Sequence, residues 1–96
     1  VLAKYYEKYE SDPDFLAESL SIVIIENALK VMKLKGISRA DLAREMGVPK
    51  SQISRIFNAP PNLTLLTIAR IAVALGVEPR ALLETELAAE KEAAVS

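Results

Sequence analysis

Five hydrogen-bonding side chains, Lys50, Ser51, Gln52, Ser54 and Arg55, sit in a short segment whose apolar residues are Ile53, Ile56 and Phe57. In a helix those apolar residues take one side, which leaves the five polar ones with no place in a core. Their chemistry is recognition: cations, hydroxyls and an amide that donate and accept hydrogen bonds to a polar, anionic partner. Covalent chemistry has little to work with elsewhere. The chain contains no cysteine and no histidine, which removes disulfides, thiol nucleophiles, Ser-His-Asp triads and the usual zinc sites. Carboxylate catalysis would need a spaced acidic pair in a pocket, and none is evident. No enzymatic activity, metal or cofactor is therefore expected.

The net charge of −1 hides a strong segregation. Residues 30–60 carry seven lysines and arginines (Lys30, Lys33, Lys35, Arg39, Arg44, Lys50, Arg55) against Asp41 and Glu45, a local charge of +5. The flanks are acidic, at −4 over residues 1–29 and −2 over residues 61–96. A phosphate-facing surface with solvated acidic ends has this distribution.

The elements that must position the five residues are legible from their boundaries. Ser38 and Asp41 make an S-x-x-D pattern that satisfies orphan amides at a helix start, after which Leu42, Ala43 and Met46 share one face. Gly47 falls where a left-handed residue ends that helix, and Pro49 suits the first position of the next. The connection is only a few residues long, the geometry of a helix-turn-helix. Upstream, Asp12 and Pro13 signal the start of a long helix that runs to Gly36, with Phe15, Leu16, Leu20, Ile24, Ala28, Val31 and Met32 near three-and-four spacing. The β-branched run Ile22 to Ile25 would also suit a short strand, but no turn signal brackets it. Pro60 and Pro61 place a loop over Asn58 to Asn62. Thr64 then caps a fourth helix with Leu65, Ile68, Ile71, Ala72 and Leu75 as its core face, and a fifth starts at Pro79 and packs Leu82 and Leu83. At 96 residues and 51% apolar content, one all-α domain with a single core is expected. It spans residues 13–84, between a polar arm (1–12) and a polar tail (85–96).

Gly36 to Leu83 resembles the DNA-binding domain of the phage Cro and repressor type, the XRE family of helix-turn-helix transcriptional regulators. The likeness rests on GISRADLAREMGVPKSQISRIF, on NLTLLTIARIAVALGV after the loop, and on the helix-starting Pro79. It implies a small five-helix bundle of the phage-repressor-like type, here with an extended N-terminal helix, that binds double-stranded DNA as a regulator, expected to be a repressor. It implies that Lys50 and Ser51 face base edges, and that Arg55, one turn later, reaches guanine. Gln52 and Ser54 would touch backbone or adjoining bases. Phosphate contacts would come from Ser38 and Arg39 at the start of the first motif helix, from Lys33 and Lys35 before it, and from Asn58 and Asn62 after the second. Where the family commonly has glutamine, this chain has Arg39. Ala43 is the family's small residue where the motif helices cross, and Phe57 suits either the core or a partner contact.

A regulator this small reads few base pairs alone, so a homodimer on a pseudo-palindromic operator is expected. Its seam is expected to use Tyr5, Tyr6, Tyr9, Phe15, Ile22 and Ile25, with Leu82, Leu83 and Leu87 as the other choice. Those tyrosines lie among acidic residues, and the extension resembles leaders of certain antitoxins. The alternative reading is thus an antitoxin or adaptor whose N-terminus binds a basic protein such as a toxin. The longest apolar run is far short of the roughly 20 residues of a membrane span, and no basic region precedes an apolar stretch at the N-terminus. A soluble cytoplasmic protein is expected.

Overall fold

The computed structural model describes residues 12–58 and 63–84, all helical or connecting, with no strand among them. Helix α1 is Pro13–Lys35, α2 Arg39–Met46, α3 Lys50–Asn58 and α4 Leu65–Leu75; a 3₁₀ turn, Pro79–Leu82, follows. Each start has a local cause. The Asp12 carboxylate accepts from the amides of Asp14 (3.1 Å) and Phe15 (3.2 Å), with Pro13 in the first turn. Ser38 and Asp41 form the reciprocal capping box, and the Thr64 hydroxyl accepts from the Thr67 amide. Pro49 stands one residue before α3, with its carbonyl accepting from the Gln52 amide at 3.0 Å.

The ends are built alike. Gly36, Gly47 and Gly76 are all left-handed, and the residue after each, Ile37, Val48 or Val77, returns its amide to a carbonyl of the last helical turn. All three of those apolar residues pack against the core. The helix ends are thereby tied to the interior, since the hydrophobic contact that follows a left-handed cap anchors the exit of the chain.

The core has α4 at its centre, touching α1, α2 and the 3₁₀ turn, while α2 carries α3 on its other side. Leu42, Ile53, Ile71, Leu75 and Leu82 are its largest fully buried side chains. Helix α1 buries three consecutive residues, Val23, Ile24 and Ile25, because it packs against both α4 and the 3₁₀ turn. Ile22 faces outward, and Ile25 belongs to the core, so the expectation that Ile25 serves an interface is corrected. No helix among the described residues is long and apolar enough to cross a membrane.

The expected fifth helix is a single 3₁₀ turn. Amides of Ala81 and Leu83 bond three residues back, to Glu78 and Arg80, and the chain that follows is tied to α1. Asn27 Nδ2 donates to the carbonyls of Leu82 (2.8 Å) and Glu84 (2.7 Å). Leu82 is buried, but Leu83 is 45% exposed and is not the core residue expected.

Candidate nucleic-acid interface

Helices α2 and α3 present the site. Gly47 permits the three-residue connection, because its φ of +68° is strained for any residue with a Cβ. Ala43 is buried at the core, as the close approach of the two helices requires. Ile53 and Phe57 anchor α3, and Ile56 is half-buried beside them.

At about 100° per residue, Lys50, Ser51, Ser54, Arg55 and Asn58 fall within roughly 140° of one face of α3. Lys50, Ser51, Arg55 and Asn58 are exposed and Ser54 half-buried. Gln52 lies off that face and is half-buried toward the opposite flank. Among the described residues the side chains of Lys50, Ser51 and Arg55 hold no hydrogen bond or ion pair. A face of donors backed by a rigid apolar stripe, and without partners among the described residues, can bind an anionic ligand by hydrogen bonds without first breaking those.

The start of α2 adds a second group. Ser38 Oγ accepts from the Asp41 amide and Asp41 Oδ2 accepts from the Ser38 amide, both at 3.0 Å. The Ser38 hydroxyl is thus engaged as a cap. Arg44 Nη2 lies 3.1 Å from Asp41 Oδ1, an exposed ion pair that adds little stability. The Asp41 carboxyl is held below its ordinary value of 3.8, first by the Ser38 backbone N–H, then by the Ser38 side chain and Arg44. A depressed folded pKa contributes stability that is present above the unfolded value and lost as pH falls through the folded one. Asp41→Asn should therefore lower the melting temperature at neutral pH, and the gap to the unsubstituted protein should narrow as the pH falls below the ordinary carboxylate range. A gap that is independent of pH would show that the carboxylate does not carry the cap.

Arg39 is half-buried with its guanidinium carbon 5.3 Å over the Phe57 ring. Phe57, which by type suits core or partner contact, is 8% exposed and packs in the core. Lys33 is exposed near the end of α1. Lys35 departs from expectation: its Nζ donates to the Leu75 carbonyl at 2.7 Å and lies 3.4 Å from that of Gly76. It caps the C-terminus of α4, where orphan carbonyls and the helix dipole favour a cation, and this contact competes with the phosphate role expected of it. Asn62, Tyr5, Tyr6, Tyr9 and Leu87 lie outside the described residues. Phe15 is half-buried on α1. The engagements of Lys35, Asn27 and Phe57 carry no local sequence signal, since each joins residues distant in the chain.

Away from this face, α1, α4 and the 3₁₀ turn enclose an apolar groove of about 520 Å³. Leu20, Ile24, Leu65, Ile68 and Leu83 are among its walls. Leu65 is 85% exposed at its rim.

The helix-turn-helix family model matches residues 25–82, more than half of the chain. A crystal structure of a hypothetical transcription factor, NHTF from Neisseria, is similar at 30% identity and a TM-score of 0.67, over 76% of this chain and 84% of that one. The restriction-modification controller protein C.AhdI from Aeromonas hydrophila is similar at 27% identity and a TM-score of 0.57, over 65% of this chain and 94% of that one. No curated protein sequence matches the chain. With the turn, the caps and the exposed face of α3 all in place, the chain belongs to the XRE-type helix-turn-helix family of DNA-binding regulators.

Proposed function

We propose that this protein is a homodimeric repressor that inserts α3 into the major groove of a pseudo-palindromic operator. The observation that carries the reading is the exposed polar face of α3, whose Lys50, Ser51 and Arg55 side chains hold no partner among the described residues and project from a helix fixed by buried Ile53 and Phe57. Lys50 and Ser51 stand at the end of α3 that reaches base edges in such docking. Arg55 supplies the fork that matches guanine O6 and N7, a contact worth about 1–3 kcal/mol of discrimination. Arg39 and Lys33 flank it as phosphate contacts. Occupying a promoter site is enough to repress, and the likeness to a controller protein supports a role in gene control.

The homodimer is proposed to form through the apolar groove between α1, α4 and the 3₁₀ turn. None of these elements belongs to the α2–α3 pair, so a two-fold pairing there leaves both copies of α3 open to DNA. Exposed Leu20, Leu65 and Leu83 supply the apolar contact.

Selection from random duplexes tests the reading. The expected product is two inverted half-sites, and Arg55→Ala should flatten one or two base positions in each while leaving the others intact. Binding to any fixed duplex should weaken with salt, the logarithmic slope rising by about 0.9 for each phosphate neutralised. An Arg55→Ala selection identical to that of the unsubstituted protein would overturn the assignment.

A further inference from the structure

The contact between Arg39 and Phe57 joins the first residue of α2 to the end of α3, and its place on α3 gives it a use. Phe57 lies seven residues after Lys50, two helical turns, so the two are within about 20° of each other around the helix axis. The ring therefore marks the edge of the reading face on its Lys50 and Ser54 side. One side of the ring is held in the core at 8% exposure, and the guanidinium rests over it at 5.3 Å. Of the cations expected on phosphate, Lys35 is turned onto the end of α4, whereas Arg39 is held beside α3 itself.

A long cationic side chain normally loses rotamer freedom when it settles on a phosphate. A guanidinium held over an aromatic face has lost much of that freedom before the ligand arrives, and its flat, weakly hydrated head fits that face better than a lysine ammonium does. We propose that Phe57 is a positioning residue for DNA binding: its ring holds the Arg39 guanidinium on the flank of α3, set for a backbone phosphate beside the groove that α3 enters. The proposal rests on α3 being the DNA-contacting helix.

The test is a double-mutant cycle read by fluorescence anisotropy on a labelled random-sequence duplex of about three helical turns, at several salt concentrations. Phe57→Leu retains an apolar side chain of similar bulk and removes the ring. It should weaken binding about three- to tenfold, and it should add nothing in the Arg39→Ala background. Arg39→Lys keeps the charge without the guanidinium's fit to the ring and should show a loss similar to that of Phe57→Leu, with the salt slope unchanged. In the free protein the Arg39 side-chain Hε resonance should carry a ring-current shift that Phe57→Leu abolishes.

Equal weakening by Phe57→Leu in both backgrounds would overturn the proposal, since the ring would then act through the fold. Unchanged binding by Arg39→Lys, or an Arg39 resonance indifferent to the ring, would overturn it without needing Phe57→Leu to fold. Lys50→Ala separates the two levels. If it weakens binding while Phe57→Leu and Arg39→Lys do not, positioning alone fails; if Lys50→Ala and Arg39→Ala are both silent, the α3 reading fails and takes this inference with it.

Discussion

Ile53→Ala is expected to lower the stability of the fold by about 2–5 kcal/mol. Ile53 has no exposed surface and lies in one apolar cluster with Leu42, Ala43, Phe57 and the inner face of α4. Helix α3 has nine residues, too few to hold a helix by itself in water, so its shape depends on this packing. Against a total stability of roughly 5–15 kcal/mol for a domain of this kind, the loss is a large fraction. Ile53→Val, which removes one methylene, should cost only about 0.5–1.5 kcal/mol. Denaturant unfolding checks both, through a shift of midpoint at constant slope. DNA affinity should fall with Ile53→Ala wherever the folded fraction falls, whereas Arg55→Ala should lose base preference at unchanged stability. An unaltered midpoint for Ile53→Ala would mean that the residue does not anchor α3.

The contrast between those two residues explains what was legible beforehand. Caps and stops are written locally: Asp12 with Pro13, Ser38 with Asp41, Gly47 and Thr64 each satisfy or terminate backbone within a few residues, and all are found in those roles. The alternation of apolar and polar residues on α3 is equally local, and it separates Ile53 from Lys50, Ser51 and Arg55, while Phe57 suits the core or a partner by type and only the packing decides. Long-range contacts have no such signature. Lys35 in the last turn of α1 suits a phosphate and a helix C-terminus equally by type; only the approach of α4 brings the Leu75 carbonyl to 2.7 Å. Asn27 reads as an ordinary exposed polar residue of a long helix, yet its amide holds two carbonyls more than fifty residues away. The last element is shorter than its start signal suggests, since Pro79 and the apolar pair after it specify a helical start but not its length. Ile25 was misplaced for a related reason: a single apolar stripe assumes one packing partner, and α1 has two.

Leu65→Asp combined with Leu83→Asp is expected to convert the protein to a monomer and to weaken binding to a two-half-site operator about 100-fold or more. The two side chains stand 85% and 45% exposed at the groove between α1, α4 and the 3₁₀ turn, so charges placed there remain solvated in a monomer and leave its stability nearly unchanged. In a dimer the same carboxylates would be buried against apolar walls without a counter-charge, which is costly, and two-fold symmetry would impose that cost at both ends of the seam. Affinity for DNA amplifies the effect. Once one half-site is bound, the linked copy meets the second at an effective concentration in the millimolar range, and severing the link removes that gain. Binding to a duplex with a single half-site should be untouched, because α3 lies on other elements of the fold. Light scattering reads the mass and anisotropy on the two duplexes reads the split. A doubly substituted protein that stays dimeric would move the seam elsewhere, and deletion of residues 1–11 or 85–96 would then show which end holds it. A wild-type monomer at micromolar concentration that selects a non-palindromic site would end the two-fold model altogether.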